Sequence, residues 1–143
     1  MNGLNQKTII ITGALGGIAK ATIKAFDEYE MTFILLDVVE EDKAFLSTLN
    51  NPYHYFKADI SSSESIDQVK IKVQEQYKNI DFIVHAAGLY QHIELKDLTY
   101  EEWNRQISIN LNANYYLIKS FLPLLAEHSA IVNISSIAGH QGS

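Results

Sequence analysis

The chain has 143 residues, of which 47% are hydrophobic and 20% are charged, a composition typical of a globular protein with one core. Its net charge of −6 argues against binding to nucleic-acid phosphates, and the lack of cysteine excludes disulfides, thiolate catalysis and cysteine metal sites. No signal peptide is apparent, and no apolar run approaches the roughly 20 residues that cross a bilayer. We therefore expect a cytoplasmic protein with no nucleic-acid and no membrane partner.

Apolar strands alternate with amphipathic helices along the chain. The strand segments are rich in apolar and β-branched residues, and they are predicted at 7–12, 32–37, 53–58, 81–85 and 130–135. The spacing of apolar residues predicts helices at 17–29, 40–49, 63–77 and 99–125, the third capped by Ser63 and the last bent by Pro123. This alternation predicts an α/β fold with a doubly wound parallel sheet of strand order 3-2-1-4-5.

A glycine-rich turn follows the first predicted strand directly, and residues 12–19 read Thr-Gly-Ala-Leu-Gly-Gly-Ile-Ala. Glycines let the backbone turn tightly and let a phosphate approach it, while the helix that follows points free N–H groups at the anion. Asp37 ends the second predicted strand, where a carboxylate can accept hydrogen bonds from a ribose hydroxyl. An ordinary strand-to-helix turn could share the glycines alone, but the combination with Asp37 predicts a dinucleotide site.

Four further motifs follow the glycine turn. In chain order they are Asp59-Ile60, His85-Ala86-Ala87-Gly88, Trp103 with Asn110-Leu111, and the stretch from Ile131 to Gly139. Together with the turn, in which Ala19 replaces a last glycine, they resemble the short-chain dehydrogenase/reductase family, classical type. The resemblance implies a Rossmann-type fold that lacks the family's C-terminal strands, with one NAD(P)-binding domain over residues 1–143. It also implies an oxidoreductase that transfers hydride between nicotinamide and a secondary alcohol or ketone.

The resemblance implies roles for individual residues. Cofactor contacts are expected at Thr12, Gly13, Leu15, Gly16, Gly17, Ile18, Asp37, Asp59, Ile60, Ala86, Ala87 and Gly88. Ser136 is expected to orient the substrate carbonyl, and Asn110 to hold a water of the proton relay. Asp59 could instead cap a helix, and Asn110 could bond to the main chain of its own helix. His85 replaces an asparagine of the family and is expected to bond nearby backbone, and no metal site is predicted.

Asp37 bears on the choice of cofactor. Its carboxylate would repel the 2′-phosphate of NADP and accept hydrogen bonds from the ribose of NAD. No arginine or lysine stands at positions 14–16 to neutralise an additional phosphate. NAD is therefore expected in preference to NADP, although Asp37 could also be a solvated loop acid.

Two features depart from the family pattern. The glycines fit either the classical spacing Gly13-Gly17-Ala19 or the spacing Gly13-Gly16-Ala19 of extended members, which include nucleotide-sugar epimerases and dehydratases. The Tyr-x-x-x-Lys pair that the family carries after its serine does not follow Ser136, so we interpret the chain as incomplete and expect it to be nearly inert alone. A non-catalytic nucleotide-binding or interaction module is the alternative. The resemblance further implies a homo-oligomer through the 99–125 helix, and an alcohol or ketone as substrate.

Overall fold

Five parallel strands form one sheet in the computed structural model, which describes residues 2–137. The strands are β1 (Lys7–Thr12), β2 (Met31–Asp37), β3 (Tyr53–Lys57), β4 (Ile80–His85) and β5 (Leu125–Asn133). Their spatial order is β3-β2-β1-β4-β5, and every neighbouring pair is parallel. The predicted Rossmann-type order 3-2-1-4-5 is thus confirmed. The order reverses between β1 and β4, and a crevice at the carboxyl ends of the strands is where ligands bind in such sheets.

Helices cover both faces of the sheet. They are α1 (Gly17–Phe26), α2 (Lys43–Leu46), α3 (Ser63–Gln76), α4 (Tyr100–Ile107) and α5 (Ala113–Phe121). The cap of α3 is Ser62, whose hydroxyl accepts the N–H of Ser65, and not the predicted Ser63. Helix α2 starts three residues later than predicted because Asp42 caps it by accepting the N–H of Phe45, and it ends at Leu46. Thr99 and Glu102 form a capping box at the start of α4, which lowers the pKa of Glu102.

The predicted long helix over 99–125 is confirmed as an unbroken helical stretch from 100 to 124, but it is not α-helical throughout. A π-helical turn at Ser108–Asn112 separates α4 from α5, and a 3₁₀ turn at Leu122–Leu124 follows α5. Pro123 lies in that 3₁₀ turn, because proline lacks the N–H that an α-helix interior needs. Strand β5 consequently begins at Leu125, five residues before its predicted start at Ala130.

Two apolar clusters form the core, one on each face of the sheet. Alternate strand residues enter each cluster, with Ile9 and Ile11 on one face and Ile10 and Ile83 on the other. The second cluster also contains the buried residues of α3 and α5, namely Ile66, Val69, Val73, Ala113, Leu117 and Phe121. The near-continuous apolar runs of β1 and β2 are explained by this burial on both faces.

Polar side chains tie the sheet together at the amino ends of its strands. The carboxylate of Asp27, directly after α1, accepts hydrogen bonds from the backbone and side-chain amides of Asn50 and Asn51. Burial raises the pKa of Asp27, but these hydrogen bonds outweigh it and the pKa lies below its usual value. Lys7 on β1 pairs with Asp81 on β4 at 2.8 Å.

The outer strand and the neighbouring helices expose apolar side chains. Val132 on β5 is 49% exposed, and the large exposed side chains of the 100–122 region are Tyr100, Trp103, Leu111, Tyr115 and Leu122. This is the region through which the sequence predicts self-association, and that prediction remains open. No helix within residues 2–137 has the length and apolarity to span a membrane.

Candidate functional site

The glycine turn begins where β1 ends and packs against the segment that follows β4. Gly13 adopts φ +62°, and a Cβ atom there would lie 2.7 Å from the Cα of Ala87. Both the dihedral angle and the close approach therefore require glycine. The Gly16 N–H donates to the Gly13 carbonyl at 2.8 Å, and α1 starts at Gly17 with Gly16 as its cap. Because Gly16 has no side chain, no side-chain acceptor caps the first turn of α1.

Asp37 lies beside this turn at the carboxyl end of β2. Its Oδ2 accepts the N–H of Leu15 at 2.9 Å, and its Oδ1 accepts the N–H of Val38 at 2.7 Å. The turn is also joined to β2 by the Ala14 N–H, which donates to the carbonyl of Leu36 at 3.1 Å. Asp37 is therefore hydrogen-bonded to the glycine turn, and its role as an acceptor for ribose hydroxyls stays a prediction.

A cavity of about 620 Å³ opens beside the turn and Asp37. It is lined by nine of the residues expected to contact a cofactor, namely Gly13, Leu15, Gly16, Asp37, Asp59, Ile60, Ala86, Ala87 and Gly88. Sequence reasoning missed the remaining walls, formed by Val38 and Val39 after β2, by Ala58, Ser61 and Leu89, and by Arg105 and Ile109. The sequence did contain a signal for Arg105 and Ile109 as wall residues. They are four residues apart, so they lie on one side of the helix that precedes Asn110.

A second cavity of about 620 Å³ shares the segment from Ala86 to Leu89 with the first. It brings together the two predicted catalytic residues, Ser136 after β5 and Asn110 in the π-helical turn. Ile18, His85, Tyr90, Gln106, Ile134 and Ser135 complete its lining. Thr12 and Gly17, both expected to contact a cofactor, line neither cavity. Ala138 and Gly139, the end of the last predicted motif, lie outside the described residues.

Asn110 fixes the loop that follows β4. Its Oδ1 accepts the N–H of Leu89 and its Nδ2 donates to the Leu89 carbonyl, both at 2.8 Å. The alternative that Asn110 bonds to its own helix is therefore wrong. The π-helical turn in which Asn110 lies is a feature found often at functional sites. Its expected role in holding a water remains a prediction.

His85 is buried at the end of β4, with 4% of its surface exposed. Its Nδ1 lies 2.8 Å from Oγ1 of Thr12, which also accepts the N–H of Ala87 at 3.3 Å. The expectation that the ring bonds to backbone is wrong, because the partner is the Thr12 hydroxyl. Nε2 is buried without a hydrogen-bond partner among residues 2–137. Burial lowers the pKa of His85, so the ring is neutral at neutral pH.

The carboxylate of Asp59 is held by the serine that follows it in the loop. Its Oδ1 accepts from the N–H and the hydroxyl of Ser61, at 2.9 and 2.6 Å. It does not cap α3, because Ser62 does so. Asp59 thus lies in the wall of the first cavity. It follows β3, which β2 separates from β1 and its glycine turn.

Negative charge collects on the β2 side of the first cavity. Burial, and then the charges of Asp37, Glu40 and Glu41, raise the pKa of Tyr55 to about 12. The nearby Lys20 is paired with Asp42 at 2.8 Å. No three His, Asp or Glu side chains of the described part of the chain group as the ligands of a metal ion would.

The model of the short chain dehydrogenase family matches residues 7–143 of this sequence. The chain belongs to the short-chain dehydrogenase family. The match extends over β1 to β5, and so includes all the residues of the two cavities. Members of this family are oxidoreductases, as the names of the relatives below state.

Two curated relatives and one solved structure illustrate the membership. The 3-oxoacyl-acyl-carrier-protein reductase of Thermotoga maritima is 29% identical over 98% of this chain and 59% of its own length. An uncharacterised oxidoreductase of Schizosaccharomyces pombe is 31% identical over 94% of this chain and 51% of its own. A glucose/ribitol dehydrogenase structure from Brucella melitensis is 34% identical with a TM-score of 0.92, over 97% of this chain and 60% of that one.

The short-chain dehydrogenase chain described here is thus shorter than the relatives it matches. It spans between 51% and 64% of the first curated relatives. The family match accounts for the sheet, the glycine turn and the loop after β4. It leaves open which of the two glycine spacings applies, since Gly16 lines the first cavity while Gly17 opens α1.

Proposed function

We propose that this chain binds a nicotinamide dinucleotide, and that the protein transfers hydride between the nicotinamide and a secondary alcohol or ketone. The observation that carries the proposal is the contact between the glycine turn and Asp37, made by the Leu15 N–H at 2.9 Å. It joins a site for a diphosphate to a carboxylate acceptor for ribose hydroxyls. The family match and the oxidoreductase relatives support the same reaction class.

The residues present fit such a group. The first turn of α1 has free backbone N–H groups and no side-chain cap, which suits the negative charge of a diphosphate. Gly13 lets the turn pack directly against Ala87, in the wall that both cavities share, where a Cβ atom would lie 2.7 Å from the Ala87 Cα. The first cavity, with Asp37 and Asp59 in its walls, would hold the adenosine half. The second, with Asn110 and Ser136, would hold the nicotinamide half and the substrate.

The charges around the first cavity favour NAD over NADP. A 2′-phosphate would stand beside Asp37, with Glu40 and Glu41 close enough to raise the pKa of Tyr55. Lys20, the basic residue nearest in sequence to the glycine turn, has its ammonium paired with Asp42 at 2.8 Å. Two charges of the same sign at short range cost free energy. Lys57, the neighbour of Asp37 on β3, is itself paired with Glu40, and Arg105 is a cationic side chain in the wall of the same cavity.

The second cavity would supply the contacts to the substrate. The bound nicotinamide provides the hydride chemistry, and the protein provides position and polarity. Ser136, in the wall of that cavity, would donate to the carbonyl oxygen of a ketone. Asn110 would keep the shared wall in place through its two hydrogen bonds to Leu89. No Tyr-x-x-x-Lys pair follows Ser136 within these 143 residues, so binding is the property to measure on them.

Calorimetry with NADH and NADPH tests the proposal on the 143-residue chain and on Asp37→Ala. We expect the chain to bind NADH at least about tenfold more tightly than NADPH, because a hydrogen bond to a charged group is worth about 1.5–3 kcal/mol. Asp37→Ala should remove most of that preference. Glu28→Ala removes an equal charge from an exposed position outside both cavities and should change neither affinity.

Two outcomes would contradict the proposal. Saturating NADH that gives no binding signal with the folded chain would remove the nucleotide site altogether. An Asp37→Ala chain with the same preference for NADH would leave binding intact but refute the role of Asp37 in discriminating the two cofactors.

A further inference from the structure

We propose that His85 is a positioning residue whose neutral imidazole, acting through Thr12, holds Ala87 against the glycine turn and so sets the affinity for the dinucleotide. The inference rests on the proposed nucleotide site. It starts from three groups that are hydrogen-bonded in series, the Ala87 N–H, the Thr12 hydroxyl and the His85 ring. Each belongs to a residue at the carboxyl end of β1 or β4, or directly after it.

One tautomer of the ring gives the hydrogen of the Thr12 hydroxyl an acceptor. Thr12 Oγ1 accepts the Ala87 N–H at 3.3 Å, so its single hydrogen is available to Nδ1 of His85 at 2.8 Å. Nδ1 is then an acceptor, and the ring hydrogen is on Nε2. The Ala87 N–H, the Thr12 hydroxyl and Nδ1 of His85 each have a partner in this arrangement, while the Nε2–H has none among residues 2–137. Thr12 is fully buried, so water does not compete for its hydroxyl.

A protonated ring does not fit the same arrangement. With a hydrogen on Nδ1, the ring would face the hydrogen of Thr12, and the hydroxyl would have to rotate that hydrogen away. No other acceptor for it is found among residues 2–137, and the Nε2–H already has none there. A buried hydroxyl without an acceptor costs free energy, so protonation of His85 loosens the bond that holds Ala87.

The charged groups on the surrounding elements do not offset this cost. The second cavity, which His85 lines, has no Asp, Glu, Lys or Arg in its described lining, and Tyr90 is its one other titratable residue. On β1 and β4, Lys7 and Asp81 pair with each other at the opposite ends of the strands. The remaining charged or titratable side chains of the adjacent elements are Lys20 and Lys24 on α1, Glu127 and His128 on β5, Tyr100, Glu101, Glu102 and Arg105 on α4, and Tyr115, Tyr116 and Lys119 on α5.

Ala87 transmits the effect to the site because its backbone is common to both cavities. It lies in the wall of each, and it is so close to Gly13 that a Cβ there would be 2.7 Å from the Ala87 Cα. Movement of Ala87 therefore alters the wall between the two halves of the proposed site. It also alters the backbone surface against which Gly13 packs. Acidification through the titration of His85 weakens dinucleotide binding for this reason.

Calorimetry with NADH from about pH 7.5 to about pH 5 tests the inference on the chain and on His85→Asn. The asparagine side chain offers a carbonyl acceptor to Thr12 but does not titrate. We expect the Kd of the unaltered chain to rise about tenfold or more over this range, and that of His85→Asn to change less than about threefold. His92→Asn removes an exposed histidine outside both cavities and should follow the unaltered chain. A flat profile for the unaltered chain, or the same rise in His85→Asn, would overturn the inference.

Nuclear magnetic resonance of the free chain separates this inference from the proposed function. If NADH binds at no pH, the proposed function fails. The signals of the His85 ring nitrogens and of the Ala87 amide in the free chain still test whether the hydrogen-bond series exists. We expect a neutral ring with its hydrogen on Nε2, and faster hydrogen exchange of the Ala87 amide as His85 is protonated. A hydrogen on Nδ1 of the neutral ring, or an Ala87 amide that does not respond, refutes the series. This measurement also serves if His85→Asn does not fold.

Discussion

The two ends of the sheet use similar polar residues for different purposes. At the amino ends of the strands, Asp27 accepts hydrogen bonds from Asn50 and Asn51, and Lys7 pairs with Asp81, so the polar groups satisfy one another. At the carboxyl ends, the first turn of α1 has no side-chain cap and the Nε2 of His85 has no partner among residues 2–137. The carboxylate at one end therefore stabilises the fold, while the other end has hydrogen-bonding groups that the proposed ligand would pair.

The difference can be tested by substitution at each end. A change at the amino ends should lower the free energy of unfolding and leave NADH affinity unaltered. A change at the carboxyl ends should lower NADH affinity with a smaller effect on stability. Gly13 is an exception, and its substitution should lower both stability and affinity. Its positive φ would strain any other residue, and its backbone packs against Ala87.

The largest effect is expected for Gly13→Ala. A residue with a side chain at positive φ costs about 1–2 kcal/mol and overpacking against Ala87 costs about 1–3 kcal/mol, so the free energy of unfolding should fall by about 2–5 kcal/mol. NADH binding should be lost as well. Chemical denaturation and calorimetry measure the two effects.

Gly3→Ala is the matched control, since a Cβ atom at Gly3 meets nothing within 4 Å. It should alter neither stability nor binding. A Gly13→Ala chain as stable as the original would show that the turn can move away from Ala87, and would contradict the close packing described above.

The next largest effect is expected for Asp27→Ala. Removing this buried carboxylate leaves the partly buried amides of Asn50 and Asn51 without their acceptor, which should lower the free energy of unfolding by about 1–3 kcal/mol. The Kd for NADH should stay within about twofold, because Asp27 lies at the other end of the sheet from both cavities. An equal loss of affinity would show that the two ends are coupled.

Asp27 also gives a pH dependence of known sign. Its pKa is lower in the folded chain than in the unfolded chain, so its contribution is complete above the unfolded value of about 3.9 and is lost as the pH falls through the folded value. Denaturation in urea at several acidic pH values should show a smaller acid loss of stability in Asp27→Ala than in the original chain.

The smallest effect is expected for Asn110→Ala, which removes both hydrogen bonds to Leu89. These bonds are exposed and water can replace them, so the free energy of unfolding should fall by only about 1 kcal/mol and the Kd for NADH should rise about threefold to tenfold. Asn112→Ala, in the same π-helical turn, should change neither quantity. A larger effect on stability than on affinity would assign Asn110 to the core and not to the site.

Short-range patterns of apolar residues were enough to predict the first four strands, β1 to β4. The bounds of β1 are as predicted, and β2, β3 and β4 each differ from prediction by one residue at one end. Buried parallel strands read as uninterrupted apolar runs, and the glycine turn and Asp37 stand where those runs end. The end of α5 and the early start of β5 were missed, because apolar residues from Leu122 to Leu125 suit a helix and a strand equally well.

The sequence by itself determined the alternation of strands and helices, their order in the sheet, and the glycine turn with its acid, because each depends on neighbours along the chain. Only the tertiary structure decided three sets of hydrogen bonds. Asn110 bonds to Leu89, and the Leu15 N–H donates to Asp37. The Thr12 hydroxyl bonds to both His85 and Ala87. These partners are 21 to 75 positions apart, and no periodicity of side chains specifies which of them meet. Packing of the sheet against its helices brings them within hydrogen-bonding distance.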